Sequence, residues 1–79
     1  MSQETVQLVI DSVHEVLQEE GLEAVPLTGD SNVLEDTGLD SLALALVVVK
    51  LEEKTGQDPF ANGFINFQTV GQLAALYKD

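Results

Sequence analysis

The chain contains no cysteine and no arginine, and it has only three lysines and one histidine. Without cysteine there is neither a disulfide framework nor a thiolate metal site, which suits a reducing compartment. Three basic side chains against fourteen acidic ones leave a net charge of −11. Such a surface repels nucleic acid and anionic membrane, and it steers basic partners by long-range attraction. The first residues, Met1-Ser2-Gln3-Glu4, lack the positive segment and apolar run of a secretory signal. The longest apolar run, Leu42 to Val49, falls far short of the ~20 residues that span a bilayer. A cytoplasmic protein is expected.

What remains is a single small domain of 79 residues. A core of this size rarely supplies more than ~3–5 kcal/mol without disulfide or metal. At 44% hydrophobic residues the chain is nevertheless too apolar for a disordered acidic tail.

The spacing of Val6, Val9, Ile10, Val13, Val16 and Leu17 predicts an amphipathic helix from Glu4 to Glu20. Ser2 is its expected cap and Gly21 its left-handed stop. Glu19 and Glu20 oppose the dipole at that end, so it is expected to fray. Residues 22 to 39 read as a long connection, anchored by Leu22, Val25, Leu27, Val33, Leu34 and Leu39, with a helical turn near Val33. A second helix starts at Asp40 as N-cap and runs to about Lys54, ended by Thr55-Gly56. Phe60, Phe64, Ile65 and Phe67 read as a short irregular or one-turn helical segment that plugs the core. Thr69-Val70-Gly71-Gln72 is a capping box opening a last helix. The expected fold is all-α: three main helices, one short piece and a long first loop.

The second helix has more apolar surface than one core stripe needs. Leu44, Val47, Val48 and Leu51 fit one face; Leu42, Ala45, Leu46 and Val49 fall on another. One explanation is that this helix is central and buried all round. The other is that Leu42, Leu46 and Val49 form an exposed docking patch, rimmed by Glu35, Asp36, Asp40, Glu52 and Glu53. In that case the acids govern encounter and the aliphatics supply affinity, since exposed ion pairs are worth only ~0–1 kcal/mol while each buried aliphatic adds ~1.5–3 kcal/mol before association costs.

Ser41 stands where the loop becomes this helix. A serine hydroxyl needs an adjacent base held by a third group, and the one histidine, His14, lies on a different predicted helix and reads as solvent-facing. A serine hydrolase would also want Gly-x-Ser-x-Gly after a strand, whereas Ser41 is flanked by Asp40 and Leu42. Ser41 therefore reads as a substrate, a hydroxyl presented for another enzyme to modify. Asp30-Ser31-Asn32 fails as a calcium loop, because Leu34 takes a ligand position, Glu35 the glycine and Ser41 the bidentate glutamate. Tyr77 reads as a packing residue at the core edge.

Gly38-Leu39-Asp40-Ser41-Leu42 at the head of an acidic second helix resembles the attachment site of acyl carrier proteins. Leu34-Glu35-Asp36-Thr37 resembles the family's loop into that site. Leu51-Glu52-Glu53-Lys54-Thr55-Gly56 resembles its second-helix exit, and Thr69-Val70-Gly71-Gln72-Leu73 its final helix. With the first helix, the likeness covers nearly the whole chain. It implies a non-catalytic carrier with 4′-phosphopantetheine bound covalently to Ser41 by a phosphopantetheinyl transferase. Asp40 would help that transferase engage the serine and its magnesium ion. The arm's thiol would carry acyl groups as thioesters between loading and using enzymes. Glu35, Asp36, Leu42, Leu46, Val49, Glu52 and Glu53 would form the docking surface of a monomeric, cytoplasmic carrier. Phe64, Ile65, Val48 and Leu51 would shelter part of the cargo.

Fatty-acid-synthesis carriers usually place acids soon after the serine; here Ala43 and Leu46 stand there, and Lys50 adds a positive charge. The aromatic segment from Phe60 to Phe67 also departs from the family norm. These differences point to a specialised free-standing carrier serving fatty acid, polyketide or related acyl synthesis. Gly38-Leu39 favours an acyl over an aminoacyl or peptidyl carrier. An acidic interaction module without a prosthetic group is the remaining alternative.

Overall fold

The computed structural model describes residues 3–63 and 65–77 and contains three helices: α1 (Gln3–Glu19), α2 (Ser41–Thr55) and α3 (Val70–Ala74). The apolar stripe of α1 is buried from Val6 to Leu17, as its spacing requires. The expected cap, Ser2, lies outside the described residues. The other end of α1 carries the expected glycine stop. Leu22 N donates to Leu17 O and Gly21 N to Gln18 O, the paired bonds of a left-handed glycine stop, with Gly21 at φ +74°.

α1 packs against both α2 and α3. Val47 and Leu51 of α2 meet Val9, Val13, Val16 and Leu17 of α1 in one core, together with Val70, Leu73 and Ala74 of α3. Among the described residues there is no strand. An isolated antiparallel bridge between Asn32 and Thr69 joins the long loop to the start of α3. Val33 N donates to Gln68 O and Val70 N to Ser31 O, both at 2.9 Å. The loop is thus fastened along its length rather than draped, which satisfies backbone groups that burial would otherwise strand.

Of its expected anchors, Val33 and Leu39 are buried, and Val25, Leu27 and Leu34 pack partly against the core. Leu22 is exposed instead, because the glycine turn carries it outward. The helical turn near Val33 is present: Asp36 N and Gly38 N donate four residues back, to Asn32 O and Leu34 O. His14 is not simply solvent-facing. It is half-buried, and its Nε2–H donates to Val25 O at 2.8 Å, clipping the loop to α1.

The aromatic segment behaves only in part as a plug. Phe60 and Phe67 pack partly against the core, with ring centroids 6.0 Å apart and tilted by 49°. Ile65 is exposed, so it does not plug the interior. Phe64 lies outside the described residues. Around Phe60 the chain runs in turns, with Ala61 N donating to Asp58 O and Gly63 N to Phe60 O. The last helix ends at Ala74 and carries the predicted box: Thr69 Oγ1 accepts from Gln72 N, and Gln72 Oε1 accepts from Thr69 N. Tyr77 is deeper than a core edge, only 4% exposed.

Candidate functional site

The site is built where the loop enters α2. Gly38 at φ +78° makes the turn, a left-handed conformation that glycine adopts without the steric cost a Cβ would bring. Leu39 then plugs into the core and pins the loop's end. Asp40 follows with extended backbone, φ −93° and ψ 176°, and caps the helix: its Oδ1 accepts the Ala43 amide at 2.8 Å. Ser41 is therefore the first helical residue, and it is exposed. Its position at a helix amino terminus favours an attached anion through first-turn amides and the positive dipole end.

Beside Ser41 lies an open hollow of about 440 Å³ lined by Ser41, Leu44, Ala45, Val48, Val49 and Phe60. Ser41 apart, every lining side chain is hydrocarbon. This corrects two of the four residues of the expected shelter, Leu51 and Ile65; Phe64 lies outside the described residues. Val48 does line the hollow, but Leu51 is fully buried in the core and Ile65 faces outward. Sequence spacing missed Phe60. The only available signal was Asp58-Pro59 just before it: Asp58 Oδ1 accepts the Phe60 amide and turns the chain back toward α2. Leu44 also lines a second hollow of about 300 Å³, together with Val33, Leu34 and Phe67.

The second helix is not buried all round. Leu42 is 79% exposed, Leu46 44% and Val49 49%, whereas Leu44, Val47 and Leu51 are buried. Three large aliphatics therefore stand in solvent along the helix that begins with Ser41. The acids Glu35, Asp36, Asp40, Glu52 and Glu53 are all exposed. Asp36 also has a local duty, since its Oδ2 accepts the Asn32 amide at 2.6 Å.

Lys50 does not add its charge to this face. Its Nζ reaches Glu19 Oε2 at 2.8 Å and Glu15 Oε1 at 3.6 Å, both on α1, and Lys54 pairs with Glu15 as well. Glu15 is held below the usual carboxylate range, chiefly by its hydrogen bond from Lys54. Lys50 is pushed up, chiefly by its hydrogen bond to Glu19. Nothing in the spacing along one helix could have revealed this pairing between two.

A family model described as "Phosphopantetheine attachment site" matches residues 7–77. The acyl carrier protein MbtL of Mycobacterium tuberculosis is 37% identical over 57 residues, covering 67% of this chain and 68% of that protein. MbtL of Mycobacterium bovis matches to the same extent. An acyl carrier protein of Saccharopolyspora erythraea is 31% identical over 72 residues, covering 90% of this chain and 76% of the relative. No solved structure matches the chain significantly. The matched stretch contains the exposed serine, its capping aspartate and the aliphatic helix face just described, and the chain belongs to the acyl carrier proteins, a family that bears covalently attached 4′-phosphopantetheine.

Proposed function

We propose that Ser41 is the attachment point, and that the chain carries acyl intermediates on the arm fixed there. The observation that carries this reading is the placement of Ser41: exposed, first in a capped helix, and bordered by a hydrocarbon hollow. Attachment joins Ser41 Oγ to the phosphorus of the coenzyme A arm. The hydroxyl proton is lost, and the bond to adenosine 3′,5′-diphosphate breaks. The family's prosthetic group supplies a terminal thiol that holds an acyl group as a thioester.

The rest falls to the chain's own side chains. Asp40 keeps the helix start rigid and places a carboxylate next to the hydroxyl, where a transferase's magnesium ion can meet it. Leu42, Leu46 and Val49 hold partners, and Glu35, Asp36, Glu52 and Glu53 attract them. Phe60 and Val48 give apolar cover to whatever lies near the attachment oxygen. Residues 1–79 act as one carrier domain, monomeric and cytoplasmic. Ala43 and Leu46, where acids usually follow the serine in fatty-acid-synthesis carriers, favour a specialised acyl pathway, polyketide or related.

The test is direct. The protein is incubated with coenzyme A, magnesium and a broad-specificity phosphopantetheinyl transferase, and its intact mass is measured. One added phosphopantetheine is expected, and none in Ser41→Ala. An unchanged mass in the wild-type chain would leave the acidic interaction module as the better account. Loading of the arm by aminoacyl rather than acyl donors would move the chain to the aminoacyl carriers.

A further inference from the structure

Lys50 and Lys54, the two lysines among the described residues, both lie on α2, and both are drawn toward α1. Lys50 follows Leu46 by four positions, so its stem shares the border of the exposed aliphatic stripe. Left to itself its ammonium would stand on that border. Instead Glu15 and Glu19 take it. Each ammonium lies within ion-pair distance of a carboxylate on α1, so neither cation stands unpaired along this edge.

We propose that Glu15 and Glu19 are specificity determinants that act through Lys50 and Lys54. They withdraw both cations from the docking face, so that a partner with a basic rim around an apolar hollow meets only carboxylates and aliphatics. The inference rests on α2 being the docking face of the carrier. The partner is a basic-rimmed enzyme surface, as charge complementarity requires: every other charged side chain beside the stripe, namely Asp40, Glu52 and Glu53, is acidic. A freed ammonium at that edge would set like charge against like across the interface. Such juxtaposition acts mainly on encounter and register, and it is weakened by salt. The raised Lys50 and lowered Glu15 proton affinities accord with the pairing.

The experiment uses the whole chain, coenzyme A, magnesium and a broad-specificity phosphopantetheinyl transferase as the basic-rimmed probe. E15Q/E19Q frees both lysines. The quadruple variant E15Q/E19Q/K50Q/K54Q removes the freed cations and restores the wild-type net charge. E4Q/E23Q makes the chain less negative by the same amount without freeing a lysine. At low ionic strength the KM of E15Q/E19Q should rise about three- to tenfold with kcat unchanged. The quadruple variant should return to within about twofold of wild type, and E4Q/E23Q should stay there too. The difference should vanish in about 0.5 M salt, where the Debye length is only ~4–5 Å. E19Q alone, which leaves the Lys54–Glu15 pair, should give a smaller rise and carries the test if the double variant loses helicity.

A rise that the quadruple variant does not reverse would make the pairs a mere helix clamp and overturn the proposal. So would an unchanged KM in E15Q/E19Q, or an equal rise in E4Q/E23Q. If the wild-type chain itself takes up no phosphopantetheine, the carrier reading fails first and this inference falls with it. The two failures are therefore distinct.

Discussion

The Oδ1 of Asp40 accepts the Ala43 amide at 2.8 Å, a bond that both starts α2 and fixes Ser41 beside a carboxylate. Cap and charge are separable by substitution. Asp40→Ala removes both and should cost about 1 kcal/mol of stability. Asp40→Asn keeps an equally good cap and should hold stability within a few tenths of a kcal/mol. If the carboxylate engages the transferase's magnesium ion, both variants should slow modification of Ser41, by tenfold or more. Urea melts and rates of mass gain give the two answers independently. An Asp40→Asn chain modified at the wild-type rate would reduce Asp40 to a helix cap.

The exposed stripe predicts the opposite separation. Leu46→Asp or Val49→Asp changes a side chain already about half in solvent, 44% and 49% exposed. Neither should cost more than about 0.5–1 kcal/mol, because surface substitutions away from caps and cores are usually small. Partner use should fall by tenfold or more, since each places an unpaired charge where an aliphatic should be buried. Loss of helicity by circular dichroism in either variant would place these residues in the core.

The parts of this molecule that were legible in sequence are those set by local rules. The α1 stripe, the Gly21 and Gly56 stops, the Asp40 cap and the Thr69–Gln72 box each need only neighbours within a turn. So does the double face of α2, because Leu46 and Val47 must point apart whatever packs on either. Contacts set by the path of a loop were not legible. Phe60 reaches the hollow beside Ser41 through a turn at Asp58, His14 is half-buried because Val25 returns over it, and Ile65 faces outward. Hydrophobicity assigns all such residues to the interior alike. Lys50 is the sharpest case, since spacing along α2 shows only a cation there, whereas the fold pairs it with Glu19 of α1.

Charge should govern stability in a way the pairs do not offset. With a net charge of −11, self-repulsion opposes the compact state. The ion pairs to Lys50 and Lys54 are exposed, so salt that screens them removes little stabilisation. Screening the repulsion should win, and the melting temperature should rise by several degrees between about 10 mM and 0.3 M salt. A flat or falling melting temperature would show that the Lys50 and Lys54 pairs outweigh the excess of carboxylates.

Tyr77 gives the alkaline limit. Its ring is buried, its hydroxyl finds no hydrogen-bond partner among the described residues, and burial pushes it up to about 12, aided by Asp58 and Glu52. The folded state therefore binds this proton more tightly than the unfolded chain, whose tyrosine titrates near 10. Its contribution is complete below pH 10. It is lost as pH rises from 10 toward 12, because the unfolded state ionises first. The loss should be on the order of 2 kcal/mol across that window. The lysines also titrate there, so the comparison that isolates Tyr77 is Tyr77→Phe. That variant should lose less stability between pH 9 and 11.5 than the wild type. At pH 7 it should be equal or more stable by up to about 1 kcal/mol, because it removes a buried hydroxyl that gains no bond in return. Urea titrations at both pH values check the pair of expectations, and a Tyr77→Phe chain clearly weaker at pH 7 would mean that the hydroxyl is satisfied in solution.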